Sequence, residues 1–204
     1  MAAPLAWMPE GGPLWFPPAE RALEGGLLMA GGDLSPKRLL YAYSRGIFPW
    51  YEADSPILWW SPDPRCVLFP ERLHVSASLR RVLNSGRFSF SVDSAFSRII
   101  RACAAVPRPG QDGTWLVPDM VEAYERLHVL GHAHSVEVWQ DGELAGGLYG
   151  VLRGRAFFGE SMFHLRPDAS KAAVVHLISW LRERDVAVVD CQQTTPHMLR
   201  LGAE

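Results

Sequence analysis

The stretch "AHSVEVWQDGELAGGLYGVLRGRAFFGESMF", residues 133–163, decides the fold. Two turn signals cut it. Asp141-Gly142 suits a tight hairpin, because both residues accept positive φ, and Arg153-Gly154 marks a second turn. Three strands joined by such turns run antiparallel. Before this stretch, "CVLFP" reads as a short strand, "SASLRRVLNSG" as a short helix and "RFSFSV" as an alternating strand. "DSAFSRIIRACAAV" reads as a capped helix. "TWLVPDMVEAYERLHVLG" reads as another, with Pro118 at its start, Val121, Tyr124 and Leu127 on its apolar stripe and Gly131 at its stop. After it, "DASKAAVVHLISWLRERD" reads as a helix with Asp168 or Ser170 near its cap, and "VAVVDCQQ" as a strand. This order predicts an α+β domain with a mainly antiparallel sheet over residues 64–204.

Residues 1–63 predict a small N-terminal domain. Its first twenty residues read as a Pro/Gly-rich lead-in with no basic start, which does not fit a signal peptide. In "DLSPKRLLYAYSRG", Ser35 can cap a helix, Pro36 suits its first position and Gly46 stops it, with Leu39, Leu40 and Tyr43 on the buried stripe. The proline-interrupted "IFPWYEADSPILWWSPDPR" predicts an irregular seam. Trp59 and Trp60 stand there, nine residues after Trp50. Two readings stand for them: indoles filling a gap between layers, or flat rings facing a flat ligand such as a nucleobase.

The chain of 204 residues is long enough for a real core, and its 48% apolar content is that of a folded domain. No apolar run reaches the ~18 residues of a membrane span. Three scattered cysteines, with no C-x-x-C spacing, argue against a disulfide frame or a zinc site and for a reducing cytoplasm. Net charge is −2, yet from Asp63 to Arg101 seven arginines face Asp63, Glu71 and Asp93. That local excess suits either phosphate steering or a solvated face.

Three stretches could carry chemistry. In "VVDCQQ" a buried strand ends in polar residues, and simple alternation puts Asp190 and Gln192 on one face. A carboxylate can orient a neighbouring amide and support developing positive charge, or both residues can simply cap the sheet end. In "FFGESMF", Glu160 sits in an apolar run and needs a cationic or hydrogen-bonding partner, whether a structural ion pair or a substrate cation. His128, His132 and His134 lack a well-placed fourth ligand, so no metal is expected. Cys191 has no motif that makes it a nucleophile. No P-loop, dinucleotide fingerprint or G-x-S-x-G is present.

Together, "GLLMAGGDLSPKRLLYAYSRGIFPWY", "PILWWSPDPR", "TWLVPDMVEAYERLHVLGHAHSVEVW", "GGLYG", "FFGESMF", "ASK" and "DCQQTTPHMLRLGA" resemble the leucyl/phenylalanyl-tRNA–protein transferase family, from about Gly26 to Ala203. The resemblance implies a cytoplasmic, monomeric enzyme without cofactor. It would move Leu or Phe from aminoacyl-tRNA to the N-terminal Arg or Lys of a protein, creating an N-end-rule degradation signal. It also implies a GNAT-like C-terminal domain. Carried over residue by residue, Asp190 and Gln192 would form a catalytic relay in which the aspartate polarises the amide, and Glu160 would lie near the acceptor. Tyr43, Trp50, Trp115 and Tyr124 would meet the tRNA 3′ end, and Leu148 and Phe157 the moving side chain. Arg65, Arg80 and Arg81 are the expected phosphate contacts, Arg65 alternatively bracing the seam. Two departures stand out. Family members usually continue past the Leu-Gly-Ala with an Ile-Pro-Arg segment, so the domain reads as short at its C-terminus, and Asp168 replaces a common Asn. Two other functions are carried as rivals: an acyl-CoA-dependent GNAT acetyltransferase, whose Q/R-x-x-G-x-G/A loop is missing, and a non-catalytic tRNA- or N-terminus-binding protein.

Overall fold

A computed structural model describes residues 5–106 and 116–204. The chain divides into two compact units, with the split between Pro64 and Arg65; the segment ending at Arg126 returns to the first unit. The sequence expectation gave that segment to the C-terminal domain.

In the first unit, β1 (Ala6–Met8) pairs parallel with β2 (Leu27–Gly31), and β3 (Phe48–Pro49) and β4 (Leu58–Trp60) complete a sheet of order β1-β2-β4-β3. Helix α1 (Pro36–Tyr43) begins as expected: Ser35 Oγ accepts from the Arg38 N–H, and Pro36 fills the first turn. Two expectations are corrected. The lead-in contains a strand, and Trp59 and Trp60 stand on β4 rather than on an irregular loop. Both strands are three residues long, too short to display a period. On α1, Leu40 is only half-buried, and Arg38 takes the buried stripe beside Leu39, Ala42 and Tyr43. Its guanidinium is satisfied by Asp33 and by the carbonyls of Gly12 and Pro13, which ties the lead-in to the helix.

The second unit contains β5 (Cys66–Leu68), α2 (Ala77–Asn84), β6 (Ser89–Val92) and α3 (Phe96–Ala105). Helix α4 (Pro118–Val129) enters it with its last turn; β7 (Ala133–Gln140), β8 (Glu143–Arg153), β9 (Ala156–His164), α5 (Ala169–Arg182), β10 (Val188–Gln192) and α6 (Pro196–Arg200) follow. The six-stranded sheet runs β5-β10-β9-β8-β7-β6, antiparallel throughout except for the β9–β10 pair, whose crossover is α5. The α+β class with a mainly antiparallel sheet is therefore as read. Asp141 and Gly142 have φ of 53° and 79°, the turn that their side chains permit.

Adjacent glycines explain how both faces are covered. A Cβ on Gly146 would meet Ala169 of α5 at 2.8 Å, and one on Gly147 would meet Ile99 of α3 at 2.5 Å. Successive strand residues face opposite ways, so α5 and α3 press on opposite faces, each where a side chain is missing. The core lies between sheet and helices and includes Leu68, Val138, Phe157, Leu177 and Ile178. At the outer edge of β5, Val67 exchanges two 2.9 Å backbone hydrogen bonds with Glu204. No helix among the described residues is long and apolar enough to cross a membrane.

The start of α3 corrects a further expectation. Its cap is not a local Asp or Ser side chain but the buried Glu137 of β7, whose carboxylate accepts from the Ser94 and Ala95 N–H groups and from the hydroxyls of Ser91 and Ser135. Beside it, Asp93 accepts from Ser135 N–H at 2.9 Å and pairs with His134 Nδ1 at 2.7 Å. Burial alone would raise the Asp93 carboxyl; these hydrogen bonds and the neighbouring His134 and His128 rings hold it below its ordinary value. A carboxyl depressed in the folded state stabilises the fold above its unfolded pKa of about 3.9, and that contribution fades as pH falls through the lower folded value. Urea midpoints of wild type and Asp93→Asn are thus expected to draw together as pH falls below about 4. A gap that stays constant down to pH 3 would contradict this linkage.

Candidate functional site

Strand β10 carries the polar end singled out in the sequence, but not in the geometry expected. Its pairing with β5 slips between Asp190 and Gln192, and Gln192 adopts φ +61°. Such a left-handed turn costs a non-glycine residue of order 1–3 kcal/mol and persists where surrounding contacts impose it. The contact here is Asp190 Oδ1, which accepts from the Gln192 backbone N–H at 2.8 Å. Simple alternation is therefore broken, as bulges next to functional sites often break it. The expected relay is corrected too: Asp190 holds the main chain of Gln192, while the side-chain amide donates from Nε2 to Glu160 Oε1 at 2.8 Å.

Arg65 completes the cluster. Its Nε lies 2.8 and 3.0 Å from the two oxygens of Asp190, with both side chains mostly buried. The guanidinium and the N–H supply charge-assisted donors to this largely buried carboxylate. Arg65, expected at a phosphate or at the seam, thus braces Asp190 instead of standing alone. Nothing local in the sequence pairs residues 65 and 190; the adjacency of β5 and β10 brings them together. Glu160 is buried in the apolar run of β9 as expected. A carboxylate only accepts, so it fixes the Gln192 amide with nitrogen toward Glu160, and the amide oxygen is the group suited to accept from an incoming N–H. Next to these residues, burial, then Cys66 and Asp190, push the Cys191 thiol well up, so it stays protonated and is a poor nucleophile. Leu148 and Phe157 both lie in the core of the same unit. Arg80 and Arg81 are exposed on α2. His132 and His134 do not come together with a third ligand, and no metal-binding group of three occurs among the described residues.

In the first unit the expected aromatics divide. Tyr43 and Tyr124 are fully buried, their hydroxyls 2.5 Å apart, so they are packing residues engaged with each other. Trp59 is fully buried, donates from Nε1 to Gly31 O at 2.8 Å and meets Phe16 edge-on at 4.9 Å. Trp60 donates to Trp50 O at 2.6 Å, and the two indoles lie 5.4 Å apart. Trp50, like Trp60, is half-buried. Tyr51, close by in sequence, has its phenol pushed up to about 12 by burial and the Asp119 charge. Trp115 lies outside the described residues.

Fold and site define a class: an α+β protein whose main sheet ends in a braced carboxylate–amide–carboxylate cluster. The family model described as leucyl/phenylalanyl-tRNA protein transferase matches residues 67–204, and the model of that family's N-terminal domain matches residues 32–63. A leucyl/phenylalanyl-tRNA–protein transferase of Anaeromyxobacter sp. (strain Fw109-5) is 61% identical over 188 residues, 92% of this chain and 80% of that protein. One from Solidesulfovibrio magneticus is 60% identical over 92% of this chain and 76% of its own length. The chain belongs to the leucyl/phenylalanyl-tRNA–protein transferase family. Among solved structures, L-PGS from Bacillus licheniformis is similar at TM-score 0.46 and 12% identity, over 82% of this chain and 53% of that one. A GCN5-related N-acetyltransferase from Kribbella flavida is similar at TM-score 0.42 and 11% identity, over 83% of this chain and 60% of that one.

Proposed function

We propose that this protein transfers a leucyl or phenylalanyl group from aminoacyl-tRNA to the N-terminal Arg or Lys of acceptor proteins, acting as a cytoplasmic monomer. The observation that carries the reading is the Glu160–Gln192–Asp190–Arg65 cluster. Its charges suit an amine acceptor. The buried Glu160 carboxylate would attract the cationic N-terminal residue, and the Gln192 amide oxygen would accept from the α-amine. That amine, with an ordinary pKa near 8, is partly neutral at physiological pH. Its nitrogen forms the new C–N bond at the ester carbonyl, the ester C–O bond breaks, and the proton lost from nitrogen ends on the ribose oxygen. The ester is already activated, so neither ATP nor a nucleophilic side chain is required, and holding amine and ester together supplies much of the acceleration.

The remaining residues take supporting parts in this reading. Trp50, half-buried, is the base-stacking candidate at the tRNA 3′ end, and Trp115 is assigned there by resemblance. Tyr43 and Tyr124 act through each other, by fixing α1 against α4. Leu148 and Phe157 form the apolar wall for the moving side chain, and Arg80 and Arg81 meet phosphate.

Purified protein mixed with phenylalanyl-tRNA and an Arg-initiated peptide, without ATP or CoA, is expected to give the Phe-Arg-peptide. Acetylation of the peptide from acetyl-CoA instead would make the protein an acetyltransferase. Binding of both substrates with no product would make it a binding protein.

A further inference from the structure

The three cysteines of the chain are all free thiols, and two of them stand beside the Asp190–Gln192–Glu160 cluster. Cys66 follows Arg65 at the start of β5, and Cys191 lies between Asp190 and Gln192 on β10. The antiparallel ladder pairs Val189 with Leu68 and Asp190 with Val67; continued without a break, it would set Cys191 opposite Cys66. The slip sets Gln192 there instead and makes Cys191 the extra residue, so that two residues of β10 oppose one of β5. Both thiols lie on the α5 side of the sheet. Cys66 is part of the core that includes Leu177 and Ile178 of α5, and Cys191 packs against that core. Cys103, on α3, belongs to the opposite face.

The two thiols are also in contact. Burial, the charges of Cys66 and Asp190, and a hydrogen bond with the Cys66 thiol together push the Cys191 thiol up. Facing residues of an antiparallel pair have Cα atoms about 4.5–5.5 Å apart, within the range of about 4.4–6.8 Å that a disulfide bridges. Cys66 is buried and Cys191 half-buried, so Cys191 is the thiol that a small oxidant reaches.

We propose that Cys66 and Cys191 are an oxidative modification site: a hydroperoxide joins them in a disulfide that slows acyl transfer, and a dithiol reverses it. The Cys191 sulfur attacks a peroxide oxygen, the O–O bond breaks, and an alcohol (water, from hydrogen peroxide) leaves with the thiol proton. The Cys66 sulfur then attacks the sulfenic acid, the S–S bond forms and water leaves. Two thiols lose two electrons and two protons, and the peroxide is reduced. A thiol of high pKa offers little thiolate and is a poor leaving group, so the bond forms slowly and persists until a dithiol breaks it. It draws Cys191 to the place opposite Cys66 that Gln192 holds. The left-handed turn of Gln192, tied to Asp190, cannot keep its place against that pull, and its amide leaves Glu160. The effect on transfer rests on the aminoacyl-tRNA reading above; the disulfide does not.

The test treats the protein with hydrogen peroxide, alkylates the remaining thiols, and measures intact mass, linked peptides and single-turnover phenylalanyl transfer. Two of the three thiols are expected to disappear together, with a peptide pair joining residues 66 and 191. Transfer is expected to slow at least about tenfold, since misplacing a reacting group by about 1 Å can cost about 100-fold. Dithiothreitol is expected to restore it. Methionine sulfoxide needs its own reductase, so oxidised methionines do not imitate that recovery. Cys66→Ala is expected to transfer at the wild-type rate when reduced and to show no dithiol-reversible loss. Cys191→Ala, at the less buried position, gives the same reading if the core substitution does not fold. Absence of the 66–191 peptide pair after oxidation overturns the site. A linked pair with unchanged transfer overturns the switch. Reduced wild type that transfers nothing overturns the transfer reading, and the switch with it, whatever the thiol count.

Discussion

Asp190→Ala is expected to slow single-turnover transfer by at least about 100-fold, the lower end of what a positioned proton-handling group contributes. Two losses combine. The Gln192 N–H loses the acceptor that holds its left-handed turn, so the amide next to Glu160 is no longer fixed. Arg65 also loses the carboxylate that faces its Nε. Breaking a buried ion pair typically costs about 3–5 kcal/mol, and the partial exposure of this pair puts the expected loss at or below the lower end of that range. A lowered melting temperature should therefore accompany the kinetic defect. Asp190→Asn separates the two contributions. It retains an oxygen for the Gln192 N–H but not the charge, and should fall between wild type and Asp190→Ala in both measurements. Near-normal transfer in a folded Asp190→Ala protein would remove this residue from the mechanism.

The largest stability effect is expected at Trp59. The ring is wholly buried, packs edge-on against Phe16 and gives its one N–H to the Gly31 carbonyl. Trp59→Ala creates a cavity and is expected to cost about 3–5 kcal/mol. Trp59→Phe refills part of the space but leaves the Gly31 oxygen without this donor, a loss of about 1–3 kcal/mol. Denaturant midpoints with unchanged slope would give both values. A loss below about 1 kcal/mol in Trp59→Ala would mean that the indole is not a core element. The contrast with Trp50 matters for function. Trp59 holds β4 from within the core, whereas Trp50 and Trp60 are both only half-buried.

What could be read in advance followed the range of the interactions. Hairpin β7–β8 announced itself through Asp141-Gly142, and α1 through Ser35-Pro36, because the residues that make those turns and caps are neighbours in sequence. Glu160 was visible as a charge in an apolar run, and Asp190 and Gln192 as a polar end to a buried strand. What alternation could not reveal was the slip after Asp190, since a bulge leaves no trace in a period of two. Arg65 as the brace of Asp190, and Glu137 as the cap of α3, depend on strand order, which no local pattern records. The strand at Ala6–Met8 was hidden for the same reason: it is three residues long, and its partners begin at Met29.

The central claim is that Gln192, fixed by Asp190 through its main chain and by Glu160 through its side chain, directs the acceptor amine. The most direct measurement is the rate of phenylalanyl transfer to an Arg-initiated peptide in a single turnover, wild type against Gln192→Ala, with the affinity for phenylalanyl-tRNA measured alongside. In the proposed reading the amide meets the acceptor amine and not the tRNA, so the rate should fall at least about 100-fold while tRNA affinity stays within about twofold. A folded Gln192→Ala protein that transfers at the wild-type rate would contradict the account.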